Sequence, residues 1–163
     1  MITGMILCAA MLVPGDTPAK EPGPPAQAKP TVPQPTPASA SLEAAEKKVD
    51  GVKLRAIEAN VVSATNQERA RYGLPALTVD KELMETAREH AAWMSRTQRL
   101  VHTMLAVAEN IAMGQPHSSD AVQAWMNSSG HRANILNASH RRIGVAAFRT
   151  EGGTIFWCQQ FRP

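Results

Sequence analysis

The chain has 163 residues, 44% of them hydrophobic and 19% charged, which suits one modest globular domain and excludes a multidomain enzyme. A net charge of +3 is too small and too dispersed for a nucleic-acid footprint. Nine of the 12 prolines stand between Pro14 and Pro37, so the average hides a tail and a body. Lys20 and Lys29 balance Asp16 and Glu21 in the tail, and the body carries the whole excess.

The longest apolar run, Ile2 to Val13, is shorter than the roughly 20 residues a membrane span needs, and no later run in the body reaches that length. Residues 1–13 resemble the hydrophobic part of a secretory or export segment, without the usual basic leader. Cys8 follows Ile6-Leu7 rather than the small residue that a lipoprotein cleavage box wants. Residues 14–41 are Pro, Ala, Thr, Gln and Ser with few large apolar residues, a composition that favours an extended spacer. The folding unit is expected at 42–163.

Ser41 reads as the N-cap of a helical extension over Leu42 to Val52, reaching to about residue 55 and interrupted at Gly51. A stronger helix is predicted from Ala56 to Arg71, with Ile57, Val61 and Ala64 as its apolar stripe and Glu58 and Arg69 away from it. Gly73 stops it, Leu74 to Leu77 connects, and Asp80 caps a second helix from Lys81 to about Arg99 that buries Leu83, Ala87, Ala91 and Met94. Ser118 or Ser119 caps a third, Asp120 to Ser128, which Gly130 ends in a left-handed turn. Ile143–Arg149 and Thr154–Arg162, joined by Glu151-Gly152-Gly153, read as a hairpin. Both of its faces are apolar, so helices must cover it above and below, and a three-layer α-β-α sandwich follows.

Five histidines invite a site. His90 falls on the second helix beside Ala87 and Ala91 and reads as a packed residue; His117 and His140 read as surface residues. His102 and His131 belong to no apolar stripe. Together with Glu109 they offer nitrogen and oxygen ligands suited to a divalent metal such as zinc, with water in the remaining position. There is no H-E-x-x-H helix and no Cys pair, so spacing alone does not define such a site. Cys158, alone in the body, reads as a small buried residue rather than a reactive thiol.

Seven blocks occur in the order seen in one family: Asn66-Gln67-Glu68-Arg69, Gly73-Leu74-Pro75-Ala76-Leu77, Ala87 with His90-Ala91 and Met94, Ala108 to Ala112, Trp125 to Leu136, Ile143 to Ala146, and Phe156 to Phe161. From about Ala56 to Phe161 the chain resembles bacterial CAP-domain proteins, the SCP-like extracellular branch of the superfamily of cysteine-rich secretory proteins, antigen 5 and pathogenesis-related 1 proteins. The resemblance implies an α+β, three-layer α-β-α sandwich with a small antiparallel sheet. It also implies a cleft with two His and two acids, of which His102, Glu109 and His131 match three; Ser128 stands where eukaryotic members carry the second acid. Ala108 replaces a Gly, Cys158 replaces a common Thr, and the His102–Glu109 connection is short.

Three function classes follow as expectations. The first is a secreted or envelope-attached, monomeric, non-enzymatic binding module. Its His102/Glu109/His131 cleft takes a divalent metal or small ligand and meets an unidentified extracellular or envelope partner, with no nucleic acid involved. The second is a hydrolase with Glu109 or His131 as base on metal-bound water, or with Ser128 or Ser129 as nucleophile. The third is a purely structural domain. Asn110, Arg132 and Asn134 are expected to support the site, and Asn66 and Arg69 to hold the fold.

Overall fold

The structure, a computed structural model, describes residues 46–163; the export segment, the spacer and the start of the helical extension lie outside the described residues. In place of a helix reaching residue 55, the chain forms a hairpin of β1 (Glu46–Val49) and β2 (Val52–Arg55), antiparallel with Val49 opposite Val52. Asp50 and Gly51 turn it at φ 49° and 82°. Two consecutive positive-φ residues are what a tight hairpin turn requires, and Asp-Gly flanked by β-branched valines is its sequence signature.

The first helix, α1 (Ala56–Arg71), follows directly. Arg55 occupies its N-cap, and Glu58 reaches back to the Arg55 N–H at 2.9 Å. Its buried stripe is Glu58, Ala59, Val61, Val62, Thr65 and Arg69, so Glu58 and Arg69, which spacing sets away from the apolar stripe, are both in the core. Glu58 is 0% exposed and is neutralised by Arg88 at 2.6 Å and Arg55 at 3.1 Å. Arg69, also fully buried, donates to the carbonyls of Pro75, Ile135, Asn137 and His140. Asn66 exchanges two hydrogen bonds with the Leu77 backbone. Two polar side chains of α1 thereby hold the loops at one end of the sheet.

After Gly73 (φ +70°), the short strand β3 (Thr78–Val79) leads into α2 (Lys81–Thr97). Asp80 caps α2 by accepting from Leu83 N at 3.0 Å, and Gln98 ends it in the left-handed region at φ 53°. The helix buries Leu83, Ala87, Ala91 and Met94 as expected, with Met84 and Ser95. Then come β4 (Ala108–Met113), α3 (Ser118–Asn127), α4 (Ser129–Ile135), β5 (Arg142–Arg149) and β6 (Ile155–Arg162). Gly130 lies inside α4 and ends nothing; the break between the helices is at Ser128, in extended conformation. Nor does a serine cap α3: His117 takes the N-cap, and Ser118 donates instead to Ile57 O at 3.0 Å.

The sheet order is β3–β5–β6–β4; every pair is antiparallel except the two-residue β3–β5 edge, which is parallel. Strand alternation divides its faces. Ile143, Val145, Ala147, Trp157 and Phe161 join the core under α1 and α3, while Ala146, Phe156, Cys158 and Ile111 join Ala87, Ala91 and Met94 under α2. The helices therefore cover both faces, as the two-sided hairpin required. Gly144 marks the closest approach, since a Cβ there would sit 2.1 Å from the Leu83 carbonyl carbon.

Candidate functional site

The edge strand β4 carries the site. Glu109 pairs with Gln160 and Asn110 with Gln159, so the period of two sends Glu109 toward α2 and Asn110 toward α1 and α4. The segment between α2 and β4 folds back over the strand's start and brings His102 to Glu109.

Glu109 is 7% exposed, and each carboxylate oxygen has two donors. Oε1 accepts from His102 Nδ1 and from Thr103 N, both at 2.9 Å. Oε2 accepts from Gln160 Nε2 at 3.0 Å and from the Cys158 thiol at 3.4 Å. Gln160 is itself held by the Thr86 hydroxyl at 2.7 Å. Burial raises the Glu109 carboxyl, but the bonds from Gln160, Thr103 and His102 and the charge of His90 outweigh it and hold the group below the usual carboxylate range. Such a carboxylate is a poor proton acceptor. Burial and the Glu109 charge push the Cys158 thiol well up, so it stays protonated as a buried donor.

On the other face, Asn110 donates to His131 O and to Gln159 Oε1, each at 3.1 Å, and accepts from Asn134 Nδ2 at 2.9 Å. Gln159 continues the chain to Thr65 at 2.7 Å. Trp125 Nε1 donates to Ile111 O at 3.1 Å. These bonds pin α3 and α4 to β4 and present His131 at the same edge as His102. The His131 imidazole is held below its ordinary value, first by burial and then by the charge of His102. Arg132 reaches Met126 O at 3.4 Å and braces α4 against α3.

Of the residues expected at the site, His102 and Glu109 are in direct contact, and His131 is coupled to His102 by charge without a hydrogen bond. Asn110 and Asn134 bond to each other, and Asn134 also donates to Glu109 O at 3.2 Å. Neither the Ser128 nor the Ser129 hydroxyl bonds to His131, so the serine dyad is not formed. His90 belongs to the site: its Nε2 lies 2.8 Å from Val101 O and 3.8 Å from Glu109 Oε2, and its ring stacks on Trp93. His140 is no surface residue; it is buried, stacked on Phe161 and bonded to Asn134 O. Gln160, Thr103 and Thr86 were missed. Two adjacent glutamines in the otherwise apolar Phe156–Phe161 run were the available sign, because buried amides demand partners.

A family description, "Cysteine-rich secretory protein family", matches residues 62–161. The chain belongs to the cysteine-rich secretory protein family. It is 37% identical over 123 residues to the uncharacterized protein YkwD of Bacillus subtilis (65% of this chain, 47% of that protein), and 35% identical over 80 residues to the secreted protein RBT4 of Candida albicans (49% and 22%). The chain thus spans half or less of the length of these relatives. The solved structure of an extracellular protein containing a SCP domain from Bacillus anthracis matches with a TM-score of 0.57 at 26% identity, over 64% of this chain and 39% of that one. The solved structure of NaASP2 with Zn2+ matches at TM-score 0.55 and 14% identity over 66% of this chain and 79% of that chain, a likeness of fold alone.

In this cysteine-rich secretory protein domain the expected three-ligand metal centre is not assembled. Among the described residues no three His, Cys, Asp or Glu side chains are arranged to hold an ion. Both Glu109 oxygens and His102 Nδ1 are engaged with one another and with Thr103, Gln160 and Cys158. Two surface grooves, about 210 and 530 Å3, open elsewhere, near Phe148 and Arg149. No helix among the described residues is long and apolar enough to cross a membrane.

Proposed function

We propose that the chain is an exported, non-enzymatic binding module that holds a small polar ligand at the His102–His131 edge of the sheet. The observation that carries this reading is the 2.9 Å bond between His102 Nδ1 and Glu109 Oε1. When His102 is neutral, that bond keeps its proton on Nδ1 and leaves Nε2 as an acceptor on a side chain that is 58% exposed. His131, biased toward its neutral form, supplies a second imidazole. Glu109 acts as the brace that orients His102. A carboxylate so fully bonded and so stabilised as the anion argues against a general-base role, and the absence of a Ser–His bond among the described residues argues against a serine nucleophile. Export is supported by the words "secreted" and "extracellular" in the names of two relatives and by the apolar run Ile2–Val13.

The test is calorimetric titration of the full chain with zinc chloride and with a panel of sugars, polyols and small amines, alongside His102→Ala and His131→Ala. A compound whose affinity falls at least about tenfold in both variants supports the reading. Binding unchanged in both, or no binding across the panel, overturns it.

A further inference from the structure

The loop between α2 and β4 turns apolar side chains into solvent. Met104 is 100% exposed, and Leu100, Val101, Leu105 and Trp93 are each more than a third exposed. This tip is held out by bonds at its base: His90 Nε2 to Val101 O at 2.8 Å, Thr103 N to Glu109 Oε1 at 2.9 Å, Leu105 N to Thr103 Oγ1 at 3.3 Å, and Val107 N to Leu105 O at 2.9 Å. Fixing the backbone of an apolar loop while its side chains stay in water costs free energy unless something covers them, and monomer surfaces rarely carry such patches without a use.

Charge says what covers it. From Arg96 to Val107 the chain carries Arg96, Arg99 and His102 and no carboxylate. The next acid along the chain, Glu109, is buried and fully bonded. The nearest exposed acid on α2 is Glu89, a turn before Trp93, and exposed Glu151 lines one groove together with Arg96 and Arg149, so that groove keeps a basic excess. Arg96 and Arg99 are both exposed. A protruding tip, rather than a groove, needs no shaped partner. Apolar residues with an aromatic beside them and arginines at the base match the layering of an anionic bilayer, with acyl chains at depth and phosphates above.

We propose that this loop docks the domain on an anionic lipid bilayer. Met104 and Leu105 enter the acyl boundary, Leu100, Val101 and Trp93 lie at headgroup depth, and Arg96 and Arg99 meet lipid phosphates. The proposal goes beyond the ligand reading and stands whether or not the His102–His131 edge binds anything.

Trp125 and Trp157 are buried, so Trp93 fluorescence reports the loop. The full chain is mixed with vesicles of brominated phosphatidylcholine, with and without brominated phosphatidylglycerol, and quenching is read against lipid concentration. The expected result is quenching on the anionic vesicles only. Met104→Ser/Leu105→Ser lowers partitioning at least about tenfold, and Arg96→Gln/Arg99→Gln lowers it about fivefold per arginine, with thermal melts unchanged in the arginine variant. Equal quenching on neutral vesicles, or quenching unaffected by either variant, overturns the proposal. Vesicle binding without Trp93 quenching also overturns it, because the contact is then elsewhere. Self-association in sedimentation velocity that is lost in Met104→Ser/Leu105→Ser, with no quenching, would give the surface to a second copy and overturn it too.

Discussion

Replacing Glu109 with Gln tests whether the site is organised around an anion. The change keeps shape and removes charge. In the parent, four donors converge on the carboxylate; the amide keeps one acceptor oxygen and turns an NH2 toward Gln160 Nε2 or toward His102. Hydrogen bonds to a charged group are worth about 1.5–3 kcal/mol and neutral ones about 1. Weakening two bonds and losing a third, partly offset by no longer burying a charge, costs about 2 kcal/mol at pH 7. For a domain of this size the melting midpoint falls by roughly 6–10 °C. Because the folded carboxyl titrates below its ordinary value, its contribution is fully present above the unfolded pKa of about 4.3 and is lost as pH falls through the folded pKa. Urea unfolding of both proteins from pH 7 downward is the assay, and the two curves should converge in acid. Equal stability at pH 7, or a difference that does not change with pH, would refute the anion-centred reading.

Four further outcomes follow from other parts of the fold. Gly144→Ala places a Cβ 2.1 Å from the Leu83 backbone, where no side chain can rotate away, so chemical denaturation should show a loss of about 3 kcal/mol or more. Arg69→Met leaves the carbonyls of Pro75, Ile135, Asn137 and His140 without their donor and costs about 4 kcal/mol. Arg69→Lys rescues little, because an ammonium cannot span the fork. Histidine NMR titration should place His131 below its ordinary value and move it upward in His102→Gln, since the neighbouring charge is one of its two depressing causes. His131 and His140 are both depressed, so the unfolded chain takes up protons first and stability declines as pH falls below about 6.5.

Much of the fold was legible because its signals are local. Asp80 caps α2, Gly73 ends α1, the Glu151–Gly153 turn joins β5 to β6, and alternation in both strands demanded helices on two sides. The hairpin at 46–55 was legible as well, in Asp50-Gly51 between valines, but the Ala-rich Leu42–Ala45 stretch before it read more strongly as helix. Glu58 and Arg69 could not be placed by pattern. A charged residue normally marks the solvent face, and only the presence of Arg55 and Arg88, or of four loop carbonyls, makes its burial tolerable.

His102, Glu109, His131, Asn110 and Asn134 could be named from sequence, because their residue types and the order of the surrounding blocks are properties of the chain. What each does was decided by the tertiary structure. Cys158 and Gln160 from β6 and Thr103 from the loop before β4 converge with His102 on Glu109, and the proposed role of Glu109 as the brace of His102 rests on that convergence. A lone pair already engaged by a buried donor is unavailable for other chemistry, and only the packed sandwich determines which donors arrive.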